Sequence, residues 1–88
     1  MIDRYTVRFT TKSEKDIKKL SSPVQKRVLK KISQLETNRK PAQLKLLIGI
    51  KITKYRLRIG DYRILFDIYE QDKAILILRI GHRKDVYR

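Results

Sequence analysis

The sequence predicts an α+β domain: a small, mostly antiparallel four-stranded sheet with two N-terminal helices packed on one face, in the order β-α-α-β-β-β. Three observations predict it. An alternating segment at Tyr5 to Phe9 precedes two amphipathic segments that carry helix-start signals. An alternating ribbon, Lys54 to Phe66, folds at Gly60-Asp61, a two-residue turn of the kind that closes hairpins. An apolar run, Ala74 to Ile80, follows the polar turn Glu70-Gln71-Asp72-Lys73. With 88 residues the chain reads as one domain, 1–88, sharing one core.

Taken in order, Tyr5, Val7 and Phe9 share one side of the first segment and Arg4, Thr6 and Arg8 the other, which predicts a half-buried strand. Thr11, with Glu14 three residues on, is a capping-box pattern and predicts a short helix over about 12–19, with Ile17 and Leu20 turned inward. Ser22-Pro23 with Gln25 repeats that signal. Val24, Val28, Ile32 and Leu35 then recur at helical spacing, so a longer helix is expected to end near 37–38. Its outer face carries Lys26, Arg27, Lys30 and Lys31 without acidic i,i+4 partners. Between 39 and 50, Pro41 and Gly49 interrupt a leucine-rich stretch, which predicts a connection packed under the sheet. The Ala74–Ile80 run is apolar on both parities, as expected of a middle strand covered on both faces. The side taken by Arg79 depends on the turn before it. A two-residue Gln71-Asp72 turn sets it opposite Ile64 on the helix side, and a longer loop turns it outward.

With Gly60-Asp61 as the turn, Ile59 lies opposite Tyr62, Arg58 opposite Arg63, Leu57 opposite Ile64, Arg56 opposite Leu65, Tyr55 opposite Phe66 and Lys54 opposite Asp67. One face is then Tyr55, Leu57, Ile59, Tyr62, Ile64 and Phe66, the core-facing side. The other gathers Lys54, Arg56, Arg58 and Arg63, although like charges directly opposite one another are destabilising. A polyanion seated on that face would relieve the repulsion.

The bulk charge agrees: 23 Lys+Arg against 9 Asp+Glu give a net charge of +14 and a pI near 10.4, the balance of a nucleic-acid-binding chain. No apolar run approaches the roughly 20 residues of a spanning helix, and Met1-Ile2-Asp3-Arg4 does not open a signal peptide. A cytoplasmic protein without membrane attachment is expected. Zero cysteines and one histidine exclude a disulfide scaffold, a zinc knuckle and a thiol nucleophile, and the scattered carboxylates predict no metal site and no cofactor.

The chemistry open to such a face is metal-independent RNA cleavage, in which the 2′-OH attacks the adjacent phosphate. Cations must meet the developing charge, and separate groups must take and return a proton. Lys54, Arg56, Arg58, Arg63 and Arg83 supply the cations, and Lys54, Tyr87 and His82 are the proton-transfer candidates.

The hairpin Tyr55-Arg56-Leu57-Arg58-Ile59-Gly60-Asp61-Tyr62-Arg63, the ending Gly81-His82-Arg83-Lys84-Asp85-Val86-Tyr87 and the element order resemble the RelE family of toxin–antitoxin toxins, within the RelE/ParE superfamily. The resemblance covers essentially the whole chain. It implies an endoribonuclease that depends on the ribosome, cuts mRNA in the decoding site and leaves a 2′,3′-cyclic phosphate and a 5′-hydroxyl. It also implies a RelB-like antitoxin as partner, besides the ribosome and mRNA. By position it assigns catalytic roles to Lys54, Arg56, Arg63, Arg83 and Tyr87; RNA contacts at Arg58, His82, Lys26, Lys30 and Lys31 are expected from the residues themselves, the helix lysines as a general electrostatic surface. Arg56 stands where well-known members have lysine, and a permanently charged guanidinium is no general base, so the base falls to Lys54 or Tyr87. The same fold in ParE toxins inhibits DNA gyrase. A gyrase-directed toxin and a non-catalytic RNA- or ribosome-binding protein are the alternatives.

Overall fold

The structure, a computed structural model, describes residues 4–37, 44–46 and 55–86. The elements are β1 (Thr6–Phe9), α1 (Thr11–Lys18), α2 (Ser22–Gln34), β2 (Leu44–Leu46), β3 (Tyr55–Ile59), β4 (Tyr62–Tyr69), β5 (Ala74–His82) and a single helical turn, α3 (Arg83–Val86). One mixed sheet runs β1-β5-β4-β3-β2, with β1 parallel to β5 and the other neighbours antiparallel. The α+β class and the order of the predicted elements hold. A short edge strand, β2, pairs with β3 inside the stretch expected to be a connection.

Helix α1 begins one residue earlier than its capping box predicts. Thr10, extended at φ −74° and ψ 160°, is the N-cap and accepts the Ser13 N–H, while the Ser13 hydroxyl donates back to the Thr10 carbonyl at 2.9 Å. Thr10 wins over Thr11 because the sheet holds it: its N–H donates to the Ile77 carbonyl and its hydroxyl to that of Leu78. At α2 the cap is Ser21, without a side-chain bond, and Pro23 sits in the first turn. Gln25 does not close a capping box. Its amide donates to the carbonyls of Ile17 and Leu20, so it satisfies the end of α1 and sets the corner between the helices.

Val28 and Ile32 of α2 and its C-cap Leu35 meet Leu57, Ile59, Ile64, Phe66, Ile75, Ile77 and Ile80 on one face of the sheet. The hairpin register is the predicted one at every described pair, from Ile59–Tyr62 to Tyr55–Phe66. The Lys54–Asp67 pair lies outside the described residues. Helix α2 ends at Gln34, short of the end expected near 37–38, because the Leu35 N–H closes a tighter i,i−3 bond to the Ile32 carbonyl and caps the helix there.

β5 is an interior strand as expected, but the strand buried on both parities is β4, where Arg63, Ile64, Leu65 and Phe66 are all buried. Leu76 and Leu78 of β5 are only half-buried. An apolar run marks an inner strand without saying which inner strand is more deeply covered.

At the first half of the β4–β5 ladder, Tyr69 faces Ala74, as a two-residue Gln71-Asp72 turn demands. A bulge then shifts the register between Leu65 and Phe66, so Arg79 faces Leu65 instead of Ile64. The Arg79 Nε donates to Asp16 Oδ2 on α1 at 2.9 Å, and the Ile80 N–H donates to the same oxygen at 2.9 Å. Asp16, 8% exposed, thus fastens α1 to the part of β5 that runs past β1.

Candidate functional site

The residues expected to carry function converge on the Gly60-Asp61 turn. Gly60 adopts φ +56°, a conformation that costs an L side chain about 1 kcal/mol or more, so the glycine makes the tight turn possible. Three arginines from three elements meet it. Arg63 of β4 donates from Nη1 to the Gly60 carbonyl at 2.8 Å and to its neighbour, the Tyr62 carbonyl, at 3.0 Å. The Arg83 backbone N–H, at the start of α3, donates to the Asp61 carbonyl at 2.8 Å. Arg27 of α2 brings Nη2 to 3.4 Å from the point where a Cβ on Gly60 would stand.

Across the sheet, on the face away from the core, two rows follow from the register. Arg58 of β3 pairs with Arg63 of β4, which pairs with Gly81 of β5. One step along the strands, Lys45, Arg56, Leu65 and Arg79 are register partners in turn. Gly81 puts no side chain beside Arg63. The face is not uniformly open, as the sequence reading expected. Arg58 is exposed and Arg56 half-buried, whereas Arg63 is only 7% exposed. Leu65 is buried too, yet stands outside the helix-side core cluster. Alternation assigned these side chains to the correct face, but the position of β4 between β3 and β5 governs how deep they lie.

Of the other expected site residues, Arg83 is exposed beside the turn. His82 faces Tyr62, edge to face, with ring centroids 5.7 Å apart, and its Nδ1 accepts the Lys84 N–H. Those two rings, on the parity of Ile80, line a cleft of about 340 Å³ with Asp16, Lys19, Leu20 and Arg79. The structure therefore does not bring His82 to the arginine row. Lys30 and Lys31 line a groove with Arg27 and Arg58, and Lys26 is exposed elsewhere on α2. Lys54 and Tyr87 lie outside the described residues. No metal-binding group of three or more His, Asp or Glu occurs among the described residues, and no helix among them is long and apolar enough to cross a membrane.

Sequence reasoning missed two residues here. Asp16 was hidden because its partners lie 63 and 64 positions away. Arg27 was counted in the basic belt of α2, and only folding sets it against the hairpin turn.

The family model of the ParE toxin of type II toxin–antitoxin systems, parDE, matches residues 7–87. The chain is a RelE/ParE-family type II toxin. Among curated relatives, Toxin RelG of Mycobacterium tuberculosis is 32% identical over 88 residues, covering 96% of this toxin and 97% of the relative. The toxin–antitoxin complex RelBE2 of the same organism matches with a TM-score of 0.82 and 30% identity, covering 97% of this toxin and 98% of that chain. The archaeal RelE–RelB complex of Pyrococcus horikoshii matches at 0.79 and 28%, covering 94% and 99%. Both structural likenesses cover nearly the whole of this toxin.

Proposed function

We propose that this toxin is a ribosome-dependent mRNA endonuclease that arrests translation. The observation that carries the reading is that Arg58 of β3, Arg63 of β4 and Arg83, whose backbone N–H donates to the Asp61 carbonyl at the start of α3, lie at or beside one hairpin turn. A scissile phosphodiester needs that arrangement: fixed cations for the charge that develops on the phosphoryl oxygens, worth most when they are oriented before the substrate arrives. Arg63 is so oriented, by the two carbonyls that accept from its Nη1.

In this mechanism the 2′-OH oxygen attacks the adjacent phosphorus, the bond to the 5′-oxygen breaks, and the products are a 2′,3′-cyclic phosphate and a 5′-hydroxyl. Lys54 or Tyr87 takes the hydroxyl proton, and the leaving oxygen is protonated in the same cycle. Arg56 serves as a charge stabiliser, because a guanidinium keeps its proton. Lys26, Lys30 and Lys31 add a general attraction to RNA. The partner that restrains the toxin is a RelB-like antitoxin, a reading supported by the relatives solved as RelB–RelE complexes. The expected compartment is the cytoplasm, where translating ribosomes are.

Adding the purified toxin to a translating extract and mapping mRNA 5′ ends tests this. Cuts inside codons are expected, and Arg83→Ala is expected to abolish them while RNA binding persists. Because the matching family model is that of ParE toxins, a gyrase-directed activity is the second reading. Intact mRNA together with blocked DNA supercoiling would establish it in place of the first.

A further inference from the structure

The last strand runs into the final helical turn with no residue between them: β5 ends at His82 and α3 begins at Arg83. His82 is therefore in the N-cap position of α3, and its Nδ1 accepts the N–H of Lys84, the second residue of that turn, at 3.2 Å. We propose that His82 is a positioning residue, which as the N-cap of α3 sets the direction in which Arg83 leaves the hairpin turn. Its effect on mRNA cutting rests on the nuclease reading; the cap does not.

A helical turn of four residues has little stability of its own, because isolated helices shorter than about 12–15 residues are marginal in water. The first two N–H groups of α3 are both tied. That of Arg83 donates to the Asp61 carbonyl of the hairpin at 2.8 Å, and that of Lys84 to the His82 ring. The first bond fixes where the turn starts, and the second fixes which way it winds. Arg83, exposed between them, is thereby set in one direction from the sheet. The ring is itself held. It belongs to the register partner of Tyr62 in the β4–β5 ladder and meets the tyrosine ring edge to face, at an interplanar angle of 78°.

Histidine is an unusual cap, since serine, threonine, aspartate and asparagine are the preferred ones. It accepts at Nδ1 only while its proton is on Nε2. A second proton, which imidazoles take up between about pH 5 and 8, turns Nδ1 into a donor facing another donor. The cap is therefore present above that titration and lost as pH falls through it. The charged and titratable groups that line the cleft with the ring are Asp16 and Lys19 of α1, Tyr62 of β4 and Arg79 of β5, and Arg83 and Lys84 follow it in the chain. Asp16 is engaged by the Arg79 guanidinium and the Ile80 N–H.

The test compares purified wild-type toxin with His82→Ala, which removes the acceptor, and His82→Asn, whose side-chain oxygen replaces Nδ1 as a preferred cap. In a reconstituted translation reaction, His82→Ala is expected to cut mRNA about fivefold more slowly, and His82→Asn at nearly the wild-type rate. From about pH 8 down to 6, wild type is expected to lose cutting relative to His82→Asn, whose cap has no proton to gain. Equal rates for the Ala and Asn variants would overturn the proposal. Should His82→Ala fail to fold, parallel pH profiles of wild type and His82→Asn would overturn it instead. A second readout needs no cutting. His82 is the chain's one histidine, so NMR reads the protonation of its ring without ambiguity. The Lys84 amide signal is expected to move with that protonation in wild type and to stay still in His82→Asn; an amide indifferent to the ring would also sink the cap. A toxin whose Lys84 amide follows the ring while mRNA stays uncut would end the nuclease reading and leave the cap standing.

Discussion

The two faces of the β3–β4 hairpin obey the same alternation and end up differently. On the helix side, the middle pair Leu57 and Ile64 is fully buried, as is Phe66, and exposure rises only at the end residues Tyr55 and Tyr62, which are half-buried. On the other side, Arg58 and Arg63 are register partners, yet Arg58 is exposed and Arg63 is buried. Two packed layers bury the middle of the first face evenly. The second is graded by position in the sheet, with Arg63 paired on both sides, to β3 and β5, and Arg58 beyond the three β3 residues that pair with β2. A site on such a face holds a fixed inner guanidinium next to an accessible outer one. The inner one is oriented by carbonyls, and the outer one is exposed.

That contrast can be broken most directly on the helix-side face. Phe66→Ala is expected to lose about 3–5 kcal/mol, read from urea unfolding, because nothing on the helix side can collapse into the space. A loss under about 1 kcal/mol would mean that this face is not the core. Asp16→Ala comes next, at about 2 kcal/mol, since it leaves the Ile80 N–H and the Arg79 guanidinium without this acceptor. Asp16→Asn should recover part of this, and equal losses for the two variants would show that the charge does not matter.

Arg63→Ala and Arg58→Ala sharpen the grading on the second face. The former should cost about 1–2 kcal/mol, as two turn carbonyls lose a charged donor. The latter should stay within about 0.5 kcal/mol. Both should lower mRNA cutting by more than about tenfold, and matching stability losses would refute the inner-versus-outer distinction. Gly60→Ala is expected to cost about 1 kcal/mol from its positive φ. Thermal melts of this variant read that cost.

Much of the fold was legible because its signals are local. The Gly60-Asp61 turn and the alternation around it predicted each described register pair of the hairpin, and Val28, Ile32 and Leu35 announced the buried face of α2. What escaped was decided by groups far apart in sequence. Two threonines compete for the N-cap of α1, and the choice of Thr10 is made by carbonyls of β5. Gln25 looked like half of a capping box and is spent on the preceding helix. Arg79 looked undetermined because a bulge, which no turn residue announces, changes its register partner. The arginine row was assigned to its face by alternation, while its burial gradient and the placing of His82 apart from it were not readable.

The sequence by itself determined the α+β class, the pairing of Arg58 with Arg63 and a charge that calls for a polyanion, since period, turn chemistry and composition are properties of short segments. Only the tertiary structure decided that Arg63 is held inside and Arg58 left outside, that Asp16 ties α1 to β5, and that Arg27 closes on Gly60. Each of these depends on which strand lies beside which, and that order is a property of the assembled sheet.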